Sequence, residues 1–236
     1  MDEMALAAQA AAMGLPLSAV QRAQFEAYLA LLLEWNARLN LTAVRQPNDI
    51  RQRHFFDSLT CALVTGDLNG RALIDVGTGA GFPGLPLKIL YPELRLILAE
   101  SVAKKTDFLL VVAVELGFDD VVILAERAEV LGQSAVHRAR YDWAVARGVA
   151  EMRVLLEYLL PLCRVGGQTL AQKGGNAAQE TAVAAQAITI LGGGSPQITL
   201  APSPPEQPHY LVVVPKVKTT PAAYPRRPGM AGKRPL

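Results

Sequence analysis

The 236 residues suffice for one sizeable α/β domain with an extension and are too few for two full domains. Half the chain is hydrophobic, yet apolar runs such as Phe108 to Val114 fall far short of a bilayer span, and the acidic start Asp2-Glu3 lacks the basic region of a signal peptide, so a cytoplasmic protein is expected. The net charge of +2 conceals a split: six basic residues and no acid follow from Lys216 onward, which leaves −4 for residues 1–215 and points to a polyanionic partner for the tail.

Residues 1–60 read as a helical extension. Ser18 and Gln21 make a capping-box pair ahead of Val20, Phe25, Tyr28, Leu29, Leu32 and Trp35, whose spacings of three and four give one broad apolar face. Trp35 reads as a core residue, not a platform for stacking bases. In His54-Phe55-Phe56-Asp57-Ser58 the histidine and the aspartate read as a structural pair. Cys61 and Cys163 are isolated, which supports neither a zinc site nor a disulfide and suits a reducing compartment.

From Ala72 strands alternate with helices, the mark of βαβ units and a parallel sheet. Strands are expected at 72–77, 95–100, 121–125, 141–147 and 168–173, and helices at 84–91, 104–117, 151–163 and 177–190. After the triple glycine at 192–194, strands 197–201 and 209–217 around a loop at 202–208 predict a closing antiparallel pair. The expected fold is a Rossmann-like, mostly parallel seven-stranded sheet in a domain spanning 61–218. A basic, Pro-rich tail, 219–236, lies over the surface.

The first strand runs into Asp75-Val76-Gly77-Thr78-Gly79-Ala80-Gly81-Phe82-Pro83-Gly84. Glycines there admit positive φ and let a ligand approach the main chain. An acid before a Gly-x-Gly-x-Gly turn resembles the loop with which methyltransferases hold S-adenosylmethionine (SAM). Gly79-x-Gly81-x-x-Gly84 also matches the dinucleotide fingerprint literally, which keeps a nicotinamide-dependent oxidoreductase open. In that fingerprint, however, the first glycine leaves the strand directly. Here that glycine is Gly77, and the register places Phe82 where the third glycine belongs.

Ligands of such a sheet sit at the carboxyl ends of its strands. Glu100 ends the second strand, where it can accept ribose hydroxyls, and Ser101 and Val102 would border the nucleoside. Ala128 and Glu129, after the third strand, could border an adenine. Arg147 ends the fourth strand and Lys173 the fifth, two cations that would draw a phosphate-bearing substrate. Asp142 with Lys173 leaves ribose 2′-O transfer open as an alternative chemistry.

Taken together, these residues identify the chain as similar to a known family, the bacterial 16S ribosomal RNA guanine-N7 methyltransferases, also called glucose-inhibited division protein B. The match rests on Trp35-Asn36 with Asn40-Leu41-Thr42, on His54 with Asp57-Ser58-Leu59, and on the glycine run. It continues through Lys104-Lys105, Arg127-Ala128-Glu129, Arg147, Lys173-Gly174 and Tyr224-Pro225-Arg226-Arg227-Pro228-Gly229. Gly148 stands where most members carry alanine or a similar small residue. The resemblance implies that Gly77, Phe82, Glu100, Ser101, Val102, Ala128, Glu129 and Arg147 contact SAM, with S-adenosylhomocysteine as product. It implies a guanine of the 530 loop of 16S RNA as target (guanine 527 in the family's RNA numbering), in naked RNA or the small-subunit particle. From their charge and position, Lys173 is expected to bind the substrate, and Arg226, Arg227, Lys233 and Arg234 to hold the RNA backbone. No catalytic acid or base, no metal and no membrane is expected, and the protein is expected to be a monomer. An RNA-binding assembly factor without turnover is the non-enzyme alternative.

Overall fold

Ser18 starts the long amino-terminal helix in the way its spacing to Gln21 requires. Its hydroxyl accepts the Gln21 N–H at 3.2 Å, and the Gln21 side chain accepts the Ser18 N–H at 2.8 Å. The computed structural model describes residues 3–203 and 207–236, so the predicted loop at 202–208 lies partly outside the described residues. A first helix, α1 (Glu3–Ala12), precedes the capped one, α2 (Ala19–Leu39), which ends at Asn40 in the left-handed conformation. Phe25, Tyr28, Leu29 and Leu32 turn inward and are at most 4% exposed. Trp35 packs on Phe108 with ring centroids 5.8 Å apart, a core position as the spacing indicated. Residues 40–46 form a loop inside the segment expected to be helical throughout. Four short turns follow: α3 (Pro47–Ile50), a π-helical turn at Arg51–Phe56, α4 (Asp57–Leu59) and α5 (Ala62–Thr65).

The α/β part begins with β1 (Ala72–Val76), α6 (Gly84–Leu90), β2 (Arg95–Ala99), α7 (Ala103–Glu115) and β3 (Val122–Leu124). It continues with α8 (Ala128–Leu131), β4 (Tyr141–Arg147), α9 (Met152–Leu159) and β5 (Cys163–Lys173). The helix expected at 177–190 is two pieces, α10 (Ala177–Val183) and α11 (Ala185–Leu191), and β6 (Gln197–Leu200), β7 (Tyr210–Pro215) and α12 (Met230–Lys233) complete the chain. The sheet order is β3-β2-β1-β4-β5-β7-β6, with β7 running antiparallel to both of its neighbours. The chain winds outward through β2 and β3, then returns to β4 on the other side of β1. The carboxyl ends of β1 and β4 are therefore the switch point where such sheets bind ligands.

Side-chain alternation divides β1 between two layers. Leu73 joins the cluster of α2, α6 and α7, whereas Ile74 and Val76 join that of α9 and α11. The helical extension thus shares its core with one face of the sheet.

The basic stretch from Lys216 onward is held by internal contacts that use two of its six cations. Lys216 is 2% exposed; its ammonium donates to the carbonyls of Leu160 at 2.8 Å and Leu191 at 2.9 Å, and to the Thr220 hydroxyl. Arg226 is bound to Glu157, which is fully buried in α9: its N–H, Nε and Nη2 reach the carboxylate at 2.8, 2.9 and 2.6 Å. Arg138 donates to the carbonyls of Thr220, Pro221 and Tyr224, and Gly229 donates to Glu129 Oε1 at 2.9 Å. The charges of Lys216 and Arg226 are spent inside the fold, so Arg226, expected to hold RNA, is committed to Glu157. Lys218, Arg227, Lys233 and Arg234 remain exposed.

A candidate cofactor cleft and an adjoining basic cavity

Asp75 lies within β1, fully buried, and its position explains the glycine loop. Its Oδ2 accepts the Thr78 hydroxyl at 2.6 Å and the Gly84 N–H at 2.8 Å, while Oδ1 has no partner among the described residues. Burial pushes its pKa up to about 6. A Cβ on Gly84 would come within 2.9 Å of that carboxylate oxygen, so only glycine fits there. The protein's own carboxyl group thus takes the first N–H of α6, the donor that a dinucleotide's pyrophosphate would need. That occupancy argues against the nicotinamide reading. Gly77 turns the chain with φ of +66°, and a Cβ there would meet Val149 Cγ2 at 2.7 Å.

Beyond Gly77 opens a cleft at the carboxyl ends of β1, β2 and β3, lined by Gly77, Ser101, Ala128 and Glu129 together with Val149 and Tyr158. Four of the residues expected to touch the cofactor therefore converge. Glu100 lies beneath them, 5% exposed: Oε2 accepts the Gly79 N–H at 3.0 Å and Oε1 the Val102 N–H at 2.9 Å. It ties the glycine loop to the turn after β2, with Lys105 Nζ 3.9 Å away. Val102 stands exposed outside the lining. Glu129 shares its carboxylate with the tail through Gly229, so the carboxy-terminal segment buttresses this wall.

Phe82 and Arg147 lie on the other side of the turn at 147–149. Phe82 is 4% exposed and stacks between His54, at 4.7 Å between ring centroids, and Tyr28, at 5.4 Å. The Arg147 guanidinium sits 4.9 Å from the Phe82 ring and is fixed by Arg53 O at 3.0 Å, Asp57 Oδ2 at 3.1 Å and His54 Nδ1 at 3.1 Å. It lines a second cavity with Lys173, whose ammonium is paired to Glu180 at 2.6 Å and donates to Ala150 O at 2.9 Å. Both cations expected to draw phosphate thus already face a carboxylate.

The expected His54–Asp57 pair is not formed. His54 Nε2 lies 2.7 Å from Thr42 Oγ1 and its Nδ1 3.0 Å from Arg53 O, and burial, followed by the Arg147 charge, lowers its pKa to about 4, so it stays neutral. The partner of Asp57 is His209, with Nδ1 2.8 Å from Oδ1, and Gln172 Nε2 donates to Oδ2 at 3.0 Å. Burial would raise the Asp57 carboxyl, but the His209 hydrogen bond and the Arg147 charge outweigh it and hold the group below its ordinary value. The same hydrogen bond raises His209. Sequence reading missed His209 because β7 brings it in from 152 residues away, pairing Tyr210 with Lys173. Asp142 and Lys173 are also not a pair. Asp142 accepts the Ala72 N–H at 2.8 Å and binds Arg164 at 2.7 Å at the opposite end of the sheet, roughly 17 Å from the mouth by strand rise. Among the described residues no group of three or more His, Cys, Asp or Glu side chains is placed to hold a metal ion.

The model of the family described as rRNA small subunit methyltransferase G matches residues 21–207. The chain belongs to this family. A ribosomal RNA small subunit methyltransferase G from Roseiflexus sp. (strain RS-1) is 50% identical over 227 residues, covering 96% of this chain and 97% of its own. One from Alkaliphilus metalliredigens is 45% identical over 216 residues, covering 90% of each chain. Among solved structures, the 16S rRNA (adenine(1408)-N(1))-methyltransferase from Catenulisporales acidiphilia superposes with a TM-score of 0.54 at 16% identity, over 70% of this chain and 91% of that one. TYW2 of M. jannaschii, in complex with AdoMet, gives 0.54 at 12% identity over 69% and 75%. The fold is that of the class I SAM-dependent methyltransferases, with a helical amino terminus. The methyltransferase G family match spans the candidate cofactor cleft, Arg147 and Lys173, and ends just ahead of His209.

Proposed function

We propose that this protein transfers the methyl group of SAM to N7 of a guanine in the 530 loop of 16S ribosomal RNA. Family membership over nearly the whole chain carries the reading. The cleft supports the choice of cofactor: Asp75 takes the helix N–H that a dinucleotide would use, and Gly77, Ser101, Ala128 and Glu129 line one cleft at the mouth of the sheet. Glu100 would hold the glycine loop in place and offer its remaining lone pairs to a ribose. SAM, when bound, supplies an electrophilic methyl on a sulfonium.

Guanine N7 carries an in-plane lone pair and no proton, so the attack itself consumes no base. The protein's part is then to orient the two reactants, an effect that reaches about 7–11 kcal/mol in well-aligned systems. The separation of Asp142 from Lys173 removes the pair that 2′-O transfer would use. Arg227, Lys233 and Arg234, exposed beside the cleft's carboxy-terminal wall, are proposed to hold RNA phosphates. The protein acts as a monomer in the cytoplasm; no helix of the described residues is long and apolar enough to cross a membrane. Incubation with small-subunit RNA or particles and labelled SAM, followed by nucleoside analysis, should yield 7-methylguanosine alone. Label in 2′-O-methylated nucleosides would overturn the assignment, and RNA binding without any label would leave an assembly factor.

A further inference from the structure

The second cavity, of about 330 Å³, lies at the small end of the range for ligand pockets. Gly148 lines it while the next residue, Val149, lines the cofactor cleft, so a single turn of chain separates the two spaces. Among the described residues, two acceptors on its wall have no partner. Asp57 binds His209 through Nδ1, and His209 Nε2 bonds no described residue. Gln172, 6% exposed, donates its amide to the Asp57 carbonyl at 2.9 Å and to Oδ2 at 3.0 Å, leaving Oε1 buried and unsatisfied. A buried acceptor without a donor is unfavourable, and a ligand edge rich in N–H groups would supply the missing donor. The Watson–Crick edge of guanine, with N1–H and the N2 amine side by side, is such an edge.

We propose that this cavity receives the target guanine and that His209 is a catalytic residue there, its Nε2 accepting the guanine N1–H and taking up that proton as N7 is alkylated. The inference rests on the guanine-N7 reading above. The N7 lone pair forms the new bond to the methyl carbon, whose bond to sulfur breaks with its electron pair returning to sulfur. The purine then carries a positive charge, and N1–H becomes much more acidic. Arg53, Arg147 and Lys173 line the same cavity, so charge left on the purine would face three cations. Passing the N1 proton to His209 leaves a neutral, zwitterionic 7-methylguanine and moves the charge onto an imidazolium 2.8 Å from the Asp57 carboxylate. Asp57 is the positioning residue: by binding Nδ1 it presents Nε2 to the cavity.

The groups that set the His209 titration are Asp57 beside it, which raises it, and Arg147 and Arg53, which oppose. Lys173 and the neutral His54 complete the cavity wall. Single-turnover methylation by the wild type should therefore slow on the acid side of a pKa above the ordinary 6.5 of histidine. His209→Gln keeps an acceptor but takes no proton; its rate should fall about 100-fold and its acid limb vanish, with SAM affinity by calorimetry unchanged. A readout without turnover uses RNA hairpins and no SAM. The variant should bind a hairpin carrying 7-methylguanine roughly tenfold more weakly, and the unmethylated hairpin within about twofold of wild type. Equal losses for both hairpins, or a variant that keeps the wild-type rate and acid limb, would overturn the role of His209 while leaving the methyltransferase reading intact. Should His209→Gln fail to fold, a wild-type rate flat from pH 6 to 8 would overturn it equally. A wild type that transfers no methyl to RNA would remove the reading beneath both.

Discussion

Arg226 separates the two roles that a basic tail can play. Glu157 is fully buried and receives three donors from Arg226, one of them from the main chain. Arg226→Ala strips the guanidinium away and leaves a buried carboxylate with a single backbone N–H. Breaking a buried pair in this way costs about 3–5 kcal/mol. For a chain of this size each kcal/mol shifts Tm by about 2–4 °C, so the variant should melt roughly 6–20 °C below wild type. Arg226→Met combined with Glu157→Met should recover part of the loss. Recovery stays incomplete because the Arg226 N–H then lacks its acceptor, at about 1–3 kcal/mol. Calorimetric melting measures these effects, and RNA binding across a salt series supplies the contrast. With Arg226 committed to Glu157, Arg226→Ala should leave the log–log salt slope unchanged. Each of Arg227→Ala, Lys233→Ala and Arg234→Ala should lower it by about 0.7 at an unchanged Tm. An Arg226→Ala protein with wild-type Tm and a salt slope smaller by about 0.7 would refute the strap, since the guanidinium would then be serving phosphate.

The sequence carried the sheet because its determinants are local. Apolar strands such as Leu73-Ile74 and Ala144-Val145-Ala146, spaced by helical segments, leave few topologies open, and the topology alone places Gly77, Ser101, Ala128 and Glu129 at one mouth. Glu100 was legible as a strand-end acid, but not as the clasp between Gly79 and Val102, since backbone N–H groups carry no signature in the sequence. Arg147 sits close to the cofactor loop yet lines the other cavity, and Phe82, within that loop, is buried between Tyr28 and His54, distinctions that depend on side-chain direction and not on position along the strand. His209 depends on the register of an antiparallel strand, which no local pattern sets. Glu157 offered a faint signal, as the one acid within Leu155-Leu156-Glu157-Tyr158-Leu159-Leu160. A helix that covers a sheet normally turns such an acid to solvent, and here the tail had to fold over it first. The early start of β5 at Cys163, ahead of the strand expected at 168–173, was hidden because pairing jumps from Tyr141–Cys163 to Trp143–Gln168 across a bulge that holds Gly166 and Gly167.

Three further outcomes follow from the geometry. Gly77→Ala puts a Cβ 2.7 Å from Val149 Cγ2 at a φ of +66°, so SAM binding should be lost, measured by calorimetry on protein that remains folded; wild-type affinity would mean that the turn has room it does not show. Glu100→Ala frees the N–H groups of Gly79 and Val102 and should weaken SAM by about 1.5–3 kcal/mol, roughly ten- to 150-fold, whereas a loss below twofold would place the ligand away from this loop. Lys216 gives a pH dependence whose sign is fixed by its burial, which lowers its pKa from 10.5 to about 8. Between those two values the unfolded chain holds the proton and the folded chain does not, so stability rises with pH there, by up to about 3 kcal/mol, and the gain is absent below about pH 8. Urea unfolding of wild type and Lys216→Met at pH 7.5 and pH 9.5 isolates this contribution, because every other titrating group is common to both. Wild type should gain on the variant at the higher pH; a constant difference would mean that the carbonyls of Leu160 and Leu191 hold the ammonium charged, their hydrogen bonds outweighing its burial.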